Sequence, residues 1–378
     1  MSGAPHLVHG HLVHGMGTEL EAPVWPAITP EEAGAVLGRF AQAGRLIALH
    51  WHSPRPFSAA TLVEAEGGRF IFKRHHRDLR SLDALMQEHG FIAHLRAAGV
   101  NVPEVMAAEG CTAIARGEWT YELHRLSPGL DLYRERHSWT GFLSPDHASA
   151  AGRALARLHL AARDYAAPPR GTDPLIAGWT ILPASDPMAA VQAYVTARPA
   201  LARFLQDRPW REEMAGLLCA VPPGLAEQAP LWTHNDWHPS NLLWTPEGEV
   251  ATIFDFGLAT QSCALHDLAT ALERSAIPWL EMQDGAAIKG DVGAALGLIT
   301  AYREMLPLSL AELDTLLALL PLVHVEFALS EVDYFAGLLN DPAQAAMAWD
   351  GYLIGHARWF ASAAGQAFLA DVRRGAGA

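Results

Sequence analysis

The hydrophobic pattern of this chain changes period once, near Ser127-Pro128-Gly129. Before that point, Arg45 to Trp51, Ala59 to Ala65 and Arg69 to Arg74 alternate as strands, with Glu66-Gly67-Gly68 as a tight turn between the last two. A helix is predicted from Leu79 to Ala98, closed by Gly99. Val102 to Ala107, Thr112 to Ala115 and Trp119 to Leu123 then complete a small sheet. After that point apolar residues recur at helical spacing. One helix starts at Ser144-Pro145 and runs to about Arg163, and another starts at Asp186-Pro187. From Ala264 onward nearly everything is helical, with breaks near 283–290, 306–309 and 340–343. Strands followed by helices argue for an α+β fold rather than a doubly wound sheet. Thr29-Pro30-Glu31-Glu32 caps a further short helix reaching about Phe40. The expected layout is an arm over 1–30, a first lobe over 31–124 and a second over 125–378.

Formal charge is −14, from 41 acidic and 27 basic residues. A chain this acidic is a poor nucleic-acid binder. Cys111, Cys219 and Cys263 are too few and too far apart for a disulfide framework or a zinc motif, which fits thiols kept reduced in a cytoplasm. No uninterrupted apolar run is long enough for a bilayer, and the start lacks a secretory pattern, so no membrane partner is expected. His-Leu-Val-His-Gly occurs twice in tandem over 6–15 and clusters His6, His9, His11 and His14. With no scaffold to fix metal geometry, it reads as a flexible start.

The chemistry concentrates in His-Asn-Asp-Trp-His-Pro-Ser-Asn, residues 234–241. A short strand, a turn at Pro246-Glu247-Gly248 and a return strand ending in Asp255-Phe256-Gly257 follow. Such a hairpin brings Asn241 and Asp255 to one end of the ribbon, where two oxygen-bearing side chains suit Mg²⁺. Asp236 lies in the same loop and is placed to accept or orient the proton of an attacking hydroxyl. Upstream, Lys73 is one of only two lysines and sits in the strand Phe70 to Arg74. Glu88 falls on the apolar stripe of the next helix with Leu85, Ile92 and Leu95. A carboxylate there needs a cation, and Lys73 is the expected partner.

The spacing His-x-Asp-x4-Asn followed by hydrophobic-hydrophobic-Asp-Phe-Gly resembles the catalytic loops of protein-kinase-like enzymes. His238, where protein kinases carry lysine, resembles the aminoglycoside phosphotransferase and choline kinase family, which includes homoserine-kinase-like members. The resemblance covers roughly residues 40–340. It implies a bilobal protein-kinase-like fold and ATP-dependent phosphoryl transfer to a hydroxyl of a small molecule. It also implies Asp236 as base, Asn241 and Asp255 as Mg²⁺ ligands, His234 and Asp267 as structural residues, and His238 near the transferred phosphate. Lys73 and Glu88 would grip the α/β-phosphates. Backbone groups of Glu122, Leu123 and His124 would meet adenine. The loop 51–58, which has no glycine, would use Ser58, with Arg55 near phosphate.

The segment between Asp255 and Asp267 is short, which favours a small acceptor over a protein substrate. A protein Ser/Thr kinase and a nucleotide-binding pseudokinase are the competing readings. Glu326, Phe327, Ser330, Glu331 and Tyr334 share one helical face, and Glu273 lies on the helix begun near Asp267. Carboxylates beside aromatics would receive an amine-bearing acceptor.

Overall fold

The computed structural model describes residues 25–53, 58–134, 136–170, 174–282 and 288–377. The tandem histidine repeat and Arg55 lie outside the described residues. Helix α1 (Pro30–Leu37) is capped by Thr29 and has proline in its first turn. An antiparallel sheet of five strands follows: β1 (Leu46–His52), β2 (Ala59–Ala65), β3 (Gly68–His76), β4 (Ile114–Arg116) and β5 (Trp119–Arg125). Their order is β1-β2-β3-β5-β4. The expected strand at Val102–Ala107 is absent. That stretch makes one isolated bridge, Val105 to His124, flanked by bonds from the Met106 N–H to the Leu123 carbonyl and from the Arg125 N–H to the Glu104 carbonyl. Pro103 removes a donor from it.

Helix α2 (Leu82–Ala97) starts later than the pattern suggested, because the Ser81 hydroxyl accepts the Ala84 N–H and fixes the first turn there. It is buried on two sides. Phe91, Ile92 and Leu95 join the large helical core, whereas the core of the sheet is built from Val63, Phe70, Phe72, Tyr121 and Leu123 with Val36 and Leu37 of α1. Helix α2 meets the sheet through the polar His89 rather than through the sheet core, and this bears on the partners of Glu88 below.

After Arg125 the chain is mostly helical, as in α3 (Pro145–Ala162). Two short ribbons interrupt it. One pairs β6 (Pro230–Thr233) with β9 (Thr260–Cys263), and the other pairs β7 (Leu242–Trp244) with β8 (Val250–Ile253). Gly129, at φ +123, lies against the second ribbon, where a Cβ would come within 2.7 Å of the Leu243 Cβ. Only glycine allows this approach. No helix among the described residues is long and apolar enough to cross a membrane.

Candidate active site

The loop from His234 to Asn241 joins the two ribbons, leaving β6 and entering β7. It is held from beneath by the helix Ala264–Ala276. Asp267, in the first turn of that helix and fully buried, accepts the His234 N–H at 3.0 Å and the Asn235 N–H at 2.7 Å. His159 Nε2 lies 3.0 Å from the same carboxylate, and its Nδ1 lies 2.8 Å from the Tyr302 hydroxyl. Burial pushes the Asp267 carboxyl up, but the His159 hydrogen bond and charge, His234 and the Asn235 N–H outweigh it and hold the group below the usual range. Asn235 adopts φ +58 in this turn. His234 Nε2 lies 3.0 Å from the Phe254 carbonyl, which ties the loop to the residue before Asp255.

Asp236 is fixed from two directions. The Asn241 amide nitrogen donates to its backbone carbonyl at 2.9 Å and to its Oδ2 at 3.0 Å. Arg274 Nη1 contacts its Oδ1. His238 Nε2 stands 3.5 Å from Oδ1, and its Nδ1 bonds the Ser240 hydroxyl at 2.9 Å. The Phe254 N–H bonds the Asn241 carbonyl across the ribbon, so Asn241 and Asp255 share one end of it. Asp255 has φ +63 and a partly open side chain, with Oδ1 at 3.5 Å from Lys73 Nζ.

Lys73 has different acidic partners from those the sequence suggested. Its cross-strand neighbour in the β3–β5 register is Glu122, whose Oε1 lies 3.9 Å from Nζ. Glu88 Oε2 instead lies 3.7 Å from Arg170 Nη1, and Arg170 in turn holds the carbonyls of Gly257 and Ala259. The physical reason is the two-sided burial of α2. It turns Glu88 toward the segment after Asp255 and presents the adjacent His89 to the sheet, where its Nε2 lies 2.6 Å from Glu122. Burial works to raise the Glu122 carboxyl. The charges of His124 and Lys73, with the His75 hydrogen bond, hold it well below the usual carboxylate range.

A cavity of about 310 Å³ opens between the sheet and the β7–β8 ribbon. Leu62 and Ile71 line it from the sheet and Leu243 and Phe254 from the ribbon, with Lys73, Ser58 and Asp255 toward one end. The stretch that crosses the cavity edge is His124 to Ser127, later than expected. Leu123 is fully buried in the sheet core and gives its carbonyl to Met106, and the Glu122 side chain is enclosed by histidines, so neither lines the cavity.

The acidic residues expected to receive an amine separate in space. Glu326 accepts the N–H and hydroxyl of Thr180, both at 2.8 Å, and the Ile181 N–H at 3.1 Å, so it anchors a loop. Glu273 lies one position, about 100° of helix rotation, from Arg274. It faces His356, whose Nδ1 is 2.6 Å away. Burial lifts the Glu273 carboxyl to about 7, against the opposing pull of His324 and Arg274. The folded protein therefore keeps a proton that the unfolded chain releases near 4.5. Stability should fall as pH rises from 4.5 to about 7, by up to roughly 3 kcal/mol. Urea melts at about pH 4 and about pH 7.5, on either side of this window, check this: Glu273→Gln should flatten the decline.

Glu331 and Glu273 both stand with Asp236 among the charges that act on Arg274. Arg274 is the residue that sequence reasoning missed. It is buried, lies 5.0 Å from the ring centres of both Trp139 and Phe327, and acts electrostatically on the Tyr352 phenol. A signal for it existed. Asp267 and Arg274 are seven residues apart on one buried helix, two turns on the same face, so opposite charges at its ends can grip a single loop.

Comparison with known proteins agrees with this geometry. Residues 55–308 match the model of the phosphotransferase enzyme family, APH. A homoserine kinase of Caulobacter sp. is 27% identical over 301 residues, covering 78% of this chain and 82% of that one. A homoserine kinase of Phenylobacterium zucineum is also 27% identical, over 76% of this chain and 80% of its own length. Among solved structures, a thermostable mutant of an aminoglycoside phosphotransferase, in ternary complex with ADP and hygromycin B, superposes with a TM-score of 0.54. It is 15% identical and covers 87% of this chain and 98% of its own. The fold is thus the protein-kinase-like one, a small antiparallel sheet with a larger helical region. The chain belongs to the phosphotransferase enzyme family and is a small-molecule kinase.

Proposed function

We propose that this kinase transfers the γ-phosphate of ATP to the hydroxyl of a small acceptor bearing both a carboxylate and an amine, with residues 31–124 as the nucleotide-binding lobe and 125–378 as the catalytic and acceptor-binding lobe. The observation that carries the chemistry is Asp236, clamped by Asn241 on one side and Arg274 on the other, beside a ribbon end that also holds Asp255 and Lys73. The apolar cavity walls suit a purine, and Lys73 at its far end suits phosphate. Asp236 accepts or orients the acceptor O–H proton as the oxygen forms its bond to phosphorus and the bond to the β-phosphate oxygen breaks. The oxygen donors of Asn241 and Asp255 fit Mg²⁺: the Asn241 amide nitrogen faces Asp236, which turns its carbonyl oxygen to the other side. Bound there, Mg²⁺ supplies charge neutralisation for the phosphates. Lys73 serves as the phosphate grip with Glu122 behind it as a counter-charge, and Glu88 acts through Arg170 on the segment after Asp255.

A small acceptor is favoured because only Phe256 to Ala259 separate Asp255 from β9, which is already paired with β6. That leaves little surface to dock a peptide. Its charge pattern is supported by Arg274 and Glu331 lying together beside aromatic walls next to Asp236. The homoserine kinases among its relatives point the same way. A cytoplasmic site of action is part of the same proposal. Coupled ADP-release assays with hydroxylated amino acids, amino alcohols, neutral polyols and aminoglycosides test the reading. Hydroxylated amino acids should give the highest kcat/KM. Faster turnover of neutral polyols would refute the acceptor assignment and leave the kinase assignment standing.

A further inference from the structure

We infer that His89, Glu122 and His124 form a binding site for a divalent ion of the zinc class inside the small lobe, separate from the Asn241–Asp255 end of the cleft. The three side chains come from two elements, α2 and β5, and all are at least nine-tenths buried. One ligand atom from each lies within 4.8 Å of the others. Ligands about 2.0–2.2 Å from a shared tetrahedral ion stand about 3.3 Å apart, so the 2.6 Å and 2.9 Å separations from Glu122 Oε2 need only open by a few tenths of an ångström or slightly more as an ion replaces the proton between them. The carboxylate is ringed by imidazole nitrogens. His75 Nε2 lies 3.0 Å from Oε1, and His89 Nε2 lies 2.6 Å from Oε2.

His124 supplies the independent observation. Its Nε2 is 2.9 Å from Glu122 Oε2 and is cut off from solvent. That oxygen also faces His89 Nε2 at 2.6 Å, so two imidazole nitrogens from different elements converge on one buried carboxylate oxygen. His89 is prepared in the same sense. Its Nδ1 lies 2.9 Å from the Thr112 hydroxyl, which fixes the ring and directs Nε2 to the centre, as outer-shell partners do for metal-binding histidines. Two imidazoles and a carboxylate select Zn²⁺, Co²⁺ or Ni²⁺ over Mg²⁺. His124 also lines the cleft, which gives an ion a way in.

The test is titration of the chelator-treated full chain with Co²⁺, followed by its visible d–d absorption, and with Zn²⁺ in competition against a chromophoric chelator. One ion per chain at micromolar or tighter affinity is expected, with Zn²⁺ displacing Co²⁺. His124→Gln keeps the side chain's bulk at the cleft edge and should weaken binding at least about tenfold, a loss of one ligand; circular dichroism establishes that this variant is folded. Should His124→Gln not fold, Thr112→Val, which removes only the outer hydroxyl, is expected to weaken Co²⁺ binding severalfold. Absence of binding in the unaltered chain overturns the proposal. So does binding that is unchanged in the folded variant, since it then belongs to other histidines such as His6, His9, His11 and His14.

Discussion

Asp236→Ala is expected to lower kcat by about 10²–10⁴-fold, the range typical for loss of a positioned acid–base group, while the affinity for ADP stays near that of the unaltered enzyme. The asymmetry follows from placement. Asp236 does not line the nucleotide cavity, whereas Lys73, Phe254 and Asp255 do. Removing the carboxylate also strands Arg274 and the Asn241 amide, so some destabilisation accompanies the alanine variant. Asp236→Asn separates the two effects. It preserves an oxygen acceptor for Asn241 and the packing of the loop but cannot take a proton. Stopped-flow or steady-state ADP release together with ADP binding by calorimetry checks both variants. An Asp236→Asn enzyme that turns over at the unaltered rate would remove Asp236 from the chemistry.

The second large effect is expected at Arg274. Its guanidinium is buried between Trp139 and Phe327 and answers the charges of Asp236 and Glu331. Breaking a buried pair by removing one partner leaves the other charge uncompensated, at a cost of about 3–5 kcal/mol. Arg274→Met should therefore lower the urea midpoint substantially and abolish most turnover. Arg274→Lys should recover much of the stability but little of the rate, because a point charge cannot reproduce the planar group that meets Asp236 while lying against the Trp139 and Phe327 rings. If Arg274→Lys turns over normally, the orientation of the guanidinium is irrelevant and only its charge matters.

The sequence was most informative where local patterns decide structure. Strand alternation and the Gly67-Gly68 turn located β2 and β3 almost to the residue, and the hairpin reading placed Asn241 and Asp255 at one ribbon end. It was least informative where a partner arrives from far along the chain. Glu88 was recognisable as a buried acid, but its pairing with Arg170 rather than Lys73 depends on how α2 is rotated between the sheet, which His89 meets, and the segment after Asp255, which no period in the helix reveals. Glu122 reads as one residue of an ordinary strand until the register sets it opposite Lys73 and α2 delivers His89. Glu273 and Arg274 show the finest scale of this limit. A rotation of one residue decides which of two neighbours reaches the loop and which faces His356.

The helix Ala264–Ala276 holds the loop at two points, through Asp267 near its start and Arg274 near its end. Those two charges are separated by two rigid turns; Asp267 is braced by His159, whereas Arg274 is packed against Trp139, in the loop before α3, and Phe327, in the helix Val325–Gly337. The consequence is a division between a conservative part and an adaptable one. Substitutions of surrounding residues that touch neither Asp267 nor Arg274 can reshape which molecules enter without moving Asp236, whereas changes at Trp139 or Phe327 would loosen one of its two anchors. The helix itself has no such freedom: inserting or deleting one residue between Asp267 and Arg274 would swing one anchor about 100° around the axis and uncouple the loop at that end.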